Sequence, residues 1–211
     1  MIRSGEYGAV GDNLKQPLDD VNTSSERLIN LINDLLSMSR IQAGRLRYRM
    51  SEFSIAEKLN YIINSLQPIA QQRNLVLKLG HIDDIRVRYD QDKFEQILDN
   101  LIGNSLKFTD TGEIGISTKI MDDTVEINVR DAGIGISEEN QNKLFRQFEQ
   151  IEVDKKRPQG TGLGLYISRE LARKMGGDVW LANSELGKGS TFAFSLPLID
   201  SALAKKVEIA L

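Results

Sequence analysis

The chain has 211 residues, 27 Lys and Arg against 30 Asp and Glu, one His and no Cys. Without a thiol there is no cysteine nucleophile, disulfide or thiolate metal site, and a lone histidine excludes a His-rich metal centre and all but excludes a catalytic triad. A net charge of −3 gives no electrostatic reason to expect nucleic acid as a partner, and no apolar run approaches the roughly 18 residues of a membrane span, so a soluble, cytoplasmic chain is expected.

Residues 1–12 hold three Gly and no apolar period, which predicts a loop or a truncated end. From Asn13 to Ala43 the texture changes. Leu18, Val21, Ser25, Leu28, Ile32, Leu35 and Ser39 recur at alternating spacings of three and four, a heptad seam that Ile29, Leu31, Leu36 and Met38 broaden. Pro17 marks the beginning of this helix and Gly44 its C-cap. About 30 helical residues form a rod of roughly 45 Å, which cannot bury its own apolar face and so needs a partner. Residues 13–50 are therefore read as a long helix and a linker.

Past the linker the pattern is mixed α/β. Ser54 and Glu57 form a capping box that opens a helix to about Gln72, with Pro68 expected to kink or shorten its end. Strand-like runs follow at Leu75–Leu79 and Ile85–Tyr89. A helix is predicted over Gln91–Phe108, with Ile97, Leu98, Leu101, Ile102 and Leu106 on one side. Glu113–Ile120 and Thr124–Arg130 read as a hairpin. Ser137 is expected to cap a short helix reaching Phe148, and a polar stretch, 149–160, interrupts the pattern. A helix over Gly162–Met175 and strands at Asp178–Ala182 and Ser190–Leu196 complete a domain of residues 51–198, leaving 199–211 as a tail. The expected architecture is one α/β sandwich carrying a long N-terminal helix.

Three glycine clusters lie between these elements: Asp131–Ile136 (DAGIGI), Gly160–Leu165 (GTGLGL) and Gly187–Thr191 (GKGST). Glycines let a backbone approach a ligand and leave amides free for phosphate oxygens, and the second cluster runs into a helix N-terminus suited to an anion. Neither a GxxxxGK[ST] loop nor a strand-borne GxGxxG is present. On the helix Gln91–Phe108, Asn100 and Asn104 share one face with Lys107 a turn further on. A carboxamide oxygen can complete the shell of a Mg²⁺ that keeps its waters and phosphate oxygens, and a lysine neutralises phosphate charge.

The ordered set NxxxNxxKFT, DxGxGI, LFxxF, GTGLGL and GxGST resembles the N, G1, F, G2 and G3 boxes of sensor histidine kinases, the two-component signalling branch of the GHKL ATP-binding superfamily. The segment SSERLINLINDLLSMSRIQAGRL is similar to the second helix of their dimerisation and phosphoacceptor domain. The resemblance implies a two-layer α/β sandwich of the Bergerat type, a mixed sheet with helices on one face, preceded by part of the dimerisation hairpin. It implies ATP and Mg²⁺ as cofactors. Asn104 would bind the Mg²⁺, with Asn100 lining the same face, Lys107 on phosphate and Phe108 near the nucleotide. Asp131 would accept from the adenine amine, with Gly133, Gly135 and Ile136 against the base and Thr191 reaching it through water. Gly160, Gly162 and Gly164 would hinge a lid over 149–160 and offer amides to phosphates, with Thr161 and Leu163 of the same run also binding the cofactor. Phe145 and Phe148 would hold the base of that lid, and Gly187 and Gly189 would shape the far wall. The implied partners are ATP, a phosphoacceptor helix of a histidine kinase, a response regulator receiver domain and a second copy through the N-terminal helix, with no nucleic acid.

Two comparisons refine the expectation. In the hydrolytic branches of the superfamily a Glu stands where this chain has Asn100; an amide cannot accept a proton, so slow hydrolysis and transfer to a protein acceptor are expected. No segment resembling HExxxP precedes the long helix, and His81 lies between strand-like runs, so it reads as an exposed loop histidine and the acceptor histidine as absent from this sequence. The chain thus looks like a kinase core cut within or after the first hairpin helix, unable to phosphorylate itself, of a parent that other segments could anchor to a membrane. Lys155, Lys156 and Arg157 read chiefly as a solvated stretch of the lid, the alternative being a γ-phosphate contact. The alternatives to a kinase core are a non-catalytic nucleotide-binding module acting through lid state and dimer contacts, and an interaction protein working through its long helix.

Overall fold

The structure is a computed structural model that describes residues 11–150, 160–199, 201 and 204. The elements in chain order are α1 (Asp12–Gln42), β1 (Met50–Ser54), α2 (Ile55–Gln72), β2 (Val76–Leu79), β3 (Arg86–Asp90), α3 (Gln91–Phe108), β4 (Glu113–Met121), β5 (Thr124–Asp131), α4 (Glu138–Gln141), α5 (Gly164–Lys174), β6 (Asp178–Glu185) and β7 (Gly189–Pro197). Most of the expected tail, most of the residues proposed as a lid (151–159, with Lys155, Lys156 and Arg157) and most of the N-terminal loop lie outside the described residues.

Five strands form one sheet in the order β2-β4-β5-β7-β6, antiparallel throughout except for the parallel pair β2 and β4. Alternation along the strands sends Leu77, Ile114, Ile116, Val125, Ile127, Val129, Phe192, Phe194 and Leu196 into the core, beneath α2, α3 and α5. The two-layer α/β sandwich of the sequence reading is therefore present. Helix α3 is its centre: Phe94, Ile97, Leu98, Leu101 and Ile102 are fully buried. A chain of aromatic edges, Phe53 to Phe94 at 5.1 Å, Phe94 to Phe194 at 5.8 Å and Phe194 to Tyr89 at 6.0 Å, ties the sheet to a separate two-stranded ribbon.

That ribbon, β1 antiparallel to β3, is where the sequence reading falls short: it ends the linker at Met50, begins the helix cap at Ser54 and expects no strand between them. Its residues, MSEFS, bury only Phe53 and Ser54, too little to give a strand period. Helix α2 ends at Gln72 as expected, with Pro68 inside it and Ala70 buried against the core. Two further expectations are corrected. The helix after Ser137 is one turn, Glu138–Gln141, with no side-chain cap from Ser137. Helix α5 starts at Gly164 because Gly162, at φ +73°, occupies the left-handed region and cannot be helical. Ser54 caps α2 as expected, with the Glu57 amide donating to Ser54 Oγ at 3.2 Å, which is one half of a capping box.

Helix α1 is continuous and ends in a Schellman motif: Gly44, at φ +62°, donates to Ile41 O while Arg45 donates to Arg40 O. Its far end packs on the domain, with Ile41 buried and Met38 against the core. The heptad seam does not: Val21 and Leu28 are 63% and 59% exposed, and Ile32 and Leu35 are exposed too. Among the described residues no helix is long and apolar enough to cross a membrane.

Candidate nucleotide-binding site

The site is built on the end of β5. The alternation Val125, Ile127, Val129 continues to position 131, so a carboxylate falls where the core face would take another apolar residue. Asp131 is buried. Its Oδ1 accepts from the amides of Gly133 at 2.9 Å and Ser190 at 3.1 Å, while Oδ2 has a single long bond from Ser105 Oγ at 3.4 Å. Burial pushes the carboxyl above its ordinary pKa, opposed by those three hydrogen bonds. One oxygen is thus committed to the fold, and the other keeps most of its capacity to accept from an amine.

The glycines around it answer to the protein's own backbone. A Cβ at Gly189, where φ is +103°, would run into Asp131 O, and one at Gly135, where φ is +67°, into Glu185 O. Closely crossing chain segments therefore fix the wall around Asp131, with Gly187 N donating to Ile134 O at 2.6 Å and Ile136 N to Ser184 Oγ at 2.9 Å.

On α3, Asn100, Asn104 and Lys107 lie on the side turned from the core. Asn100 Nδ2 donates to Ser168 Oγ of α5 at 2.9 Å, and its carboxamide closes on Gly164, where any Cβ would collide with it. Asn104 is half-buried and its side chain makes no hydrogen bond among the described residues. The Lys107 ammonium stands 4.9 Å from the Phe108 ring centroid and 3.5 Å from where a Cβ of Gly160 would be. Burial lowers its pKa, and the charge of Arg27 on α1 lowers it further.

The glycine run before α5 is pinned at both ends. Gln150 Nε2 donates to Gly160 O at 2.9 Å and Phe148 N to Gly162 O at 3.1 Å. Leu163, fully buried, donates its amide to Thr161 Oγ1 at 3.2 Å, and Thr161 Oγ1 donates to Asp34 Oδ2 on α1 at 2.7 Å. Phe145 lies under the Arg169 guanidinium at 4.8 Å, which Asp178 grips through both oxygens.

The structure therefore brings Asn100 against Gly164 and Ser168, Lys107 beside Phe108 and Gly160, and Asp131 against Gly133 and the strand that follows Gly189. Thr191 is different. It pairs with Arg130, and alternation turns it to the sheet face opposite Asp131; its neighbour Ser190 is the residue that meets Asp131. Sequence reading also missed Ser105, whose signal was a hydroxyl in the apolar stripe of α3 between Ile102 and Leu106. His81 is an exposed loop residue, its Nε2 3.1 Å from Asp83 Oδ1.

Residues 89–200 match the family described as histidine kinase-, DNA gyrase B- and HSP90-like ATPases. The chain belongs to this family. Among its ATPase relatives, the hybrid signal transduction histidine kinase B of Dictyostelium discoideum is 40% identical over 192 residues, 87% of this chain and 10% of that protein. The sensor histidine kinase RcsC of Escherichia coli strain K12 is 35% identical over 97% of this chain and 23% of its own length. The full-length structure of the protein ShkA in complex with AMPPNP superposes with a TM-score of 0.78 at 26% identity, covering 95% of this chain and 42% of that one. The chain thus spans a quarter or less of these two curated relatives.

Proposed function

We propose that the chain is the ATP-binding core of a sensor protein-histidine kinase, which moves the γ-phosphoryl group of ATP to a histidine supplied by another segment. The observation that carries this is Asp131, a buried carboxylate whose Oδ1 is held by two amides and whose Oδ2 is left to select an amino-purine. The complex of the related ShkA with AMPPNP supports an adenine nucleotide in this fold. From Asp131 the site leads to the side of α3 and the glycine run before α5. There Lys107 contacts phosphate, and the glycine run leads into the N-terminus of α5, which favours an anion.

A Mg²⁺ fits these residues. Among the described residues no three His, Cys, Asp or Glu gather, so a dedicated carboxylate cage is absent. The half-buried Asn104 carboxamide, with no partner of its own, can supply the one protein oxygen needed by an ion held mainly by phosphates and water. When bound, the ion would neutralise charge on the phosphates. The chain's own residues orient and discharge. Lys107 balances developing charge, Asn100 braces α5 through Ser168, and no carboxylate stands at position 100 to activate water.

The acceptor imidazole nitrogen attacks the γ-phosphorus in line, the bond from phosphorus to the β,γ-bridging oxygen breaks, and ADP leaves with that oxygen's electron pair. The imidazole N–H proton goes to solvent. Positioning and charge compensation supply the catalysis. From the resulting phosphohistidine a response regulator receiver domain would take the group. The exposed seam of α1 would pair two copies.

Calorimetry with Mg²⁺·ATP, followed by labelled transfer to a separately supplied phosphoacceptor hairpin, tests this. The expected product is stable to base and labile to acid, as an imidazole phosphate is. Binding without transfer would leave a nucleotide-gated module, and no binding would reduce the motifs to scaffold.

A further inference from the structure

We propose that Arg27, from the long helix α1, is a phosphate-binding residue that shares the terminal phosphate of ATP with Lys107, and that Asp34 is the positioning residue seating α1 there. This rests on the nucleotide-binding reading above and adds to it a ligand from outside the ATP-binding domain.

The geometry begins with a second stripe on α1. Arg27, Leu31, Asp34, Met38 and Ile41 are spaced four, three, four and three apart, so they share one side of the helix. That side faces the domain: Ile41 is buried, Met38 packs on the core, and Asp34 Oδ2 takes the hydroxyl of Thr161 at 2.7 Å. Thr161 belongs to the glycine run that leads into α5. Two turns before Asp34, about 10.5 Å along the axis, the same side presents Arg27.

Burial disfavours protonation of the Lys107 ammonium, and the Arg27 guanidinium charge disfavours it further. Lys107 in turn lies beside Gly160, the first glycine of the run. Arg27 itself is exposed and forms no ion pair or hydrogen bond among the described residues. The one acidic neighbour in sequence, Glu26, takes the Asn22 amide instead.

Two like charges brought together, one of them without a carboxylate, repel in the nucleotide-free protein. A phosphate between them converts that repulsion into two charge-assisted contacts. The base end of the site is marked by Asp131, and α1 meets the other end, at Thr161 and Lys107. The phosphate that Arg27 meets is therefore the outermost one, present in ATP and missing from ADP.

The test is calorimetric titration of the full chain with Mg²⁺·ATP and Mg²⁺·ADP, on the parent protein, Arg27→Gln, Arg27→Lys and Asp34→Ala. Arg27→Gln is expected to weaken ATP about tenfold or more, the scale of one charge-assisted hydrogen bond, and to leave ADP within about twofold. Arg27→Lys should restore part of the loss. Asp34→Ala, which unseats the helix, should lower the ATP-over-ADP preference in the same direction. Arg27 is exposed, so an unchanged melting temperature shows that the Gln variant is folded. Equal weakening of ATP and ADP, or no change in either, overturns the proposal while leaving the nucleotide site standing. A parent chain that binds neither nucleotide overturns both readings together.

Discussion

Asp131→Asn separates base recognition from folding at a single atom. The carboxamide keeps an oxygen at Oδ1 for the amides of Gly133 and Ser190, which hold it at 2.9 Å and 3.1 Å. Nitrogen replaces Oδ2 and can donate to Ser105 Oγ, so the wall around the site stays satisfied. What changes is the group turned to the ligand, from acceptor to donor. Against the amine of adenine a donor forfeits a charge-assisted hydrogen bond, about 1.5–3 kcal/mol, so Mg²⁺·ATP should bind about 10–150-fold more weakly. A 6-oxo purine carries an acceptor at that position, so ITP should lose little or gain. The assay is calorimetric titration with both nucleotides, and the reading is their ratio. If ATP and ITP weaken together, or ATP is unaffected, Asp131 is not the base selector.

Stability supplies a control of opposite sign. Folding raises the Asp131 pKa, mainly through burial, against the opposing hydrogen bonds. A raised value means that ionisation favours the unfolded chain. The contribution is fully present below the unfolded carboxylate range and is lost as pH rises through the folded value. At neutral pH the parent therefore holds a carboxylate its fold disfavours, and the Asn variant should melt no lower than the parent. The same raised pKa sets the acid limb of ATP binding, which should fall off at a higher pH than an ordinary Asp would give.

Four other outcomes are expected. Asn104→Ala should abolish the Mg²⁺ dependence of ATP binding while leaving metal-free binding unchanged, as titration with and without EDTA would show. Gly189→Ala adds a Cβ against Asp131 O at a φ of +103°, which should destabilise the fold by about 2–5 kcal/mol in a urea melt; a loss below 1 kcal/mol would contradict the crossing. Burial pushes Asp178 up, but hydrogen bonds from Arg169 and Arg173 overcome it and hold the carboxyl below the usual range. Its stabilisation is therefore complete above the ordinary Asp pKa and lost as pH falls through the lowered value, so the melting gap between parent and Asp178→Asn should close only in acid. On the proposed reading Asn100 offers no carboxylate to activate water, so steady-state ATP hydrolysis should stay well under about 1 per second, and a faster rate would remove the argument from position 100.

Most of the fold could be read from period and punctuation. The stripe on α3, the alternation in β4 and β5 and the N-cap at Ser54 each agree with local propensity and tertiary packing at once, so nothing local conflicts with the outcome. Strand β1 escaped because its partner, β3, supplies what its own sequence lacks: a strand that buries two residues in five carries no period. At the candidate site the boxes point to Asp131, Asn100 and Lys107, yet spacing alone could not say which of two adjacent hydroxyl residues meets Asp131. Thr191 and Ser190 differ by one residue, hence by one sheet face, and only the pairing with Arg130 decides between them. Contacts between distant segments, such as Thr161 with Asp34, have no local signature at all.

The two stripes on α1 connect the remaining pieces. At 100° per residue, the seam of Val21, Leu28, Ile32 and Leu35 centres about a third of a turn from the stripe of Arg27, Asp34, Met38 and Ile41. A helix can thus engage a partner through the first and its own ATP-binding domain through the second without either contact obstructing the other. The two engagements are not independent, because a rigid helix that turns by one residue's angle to improve its seam carries Asp34 away from Thr161 by the same angle. Any partner that prefers a different rotation of α1 must therefore break a 2.7 Å hydrogen bond to the glycine run and move Arg27 off Lys107. Rotation of the helix and occupancy of the phosphate end become linked quantities, and linkage is reciprocal. ATP should favour the rotation that keeps Arg27 in place, and ADP should not. Self-association measured by sedimentation in the two nucleotides should differ for the parent chain and coincide for Arg27→Gln; a difference that survives in the variant would place the coupling elsewhere.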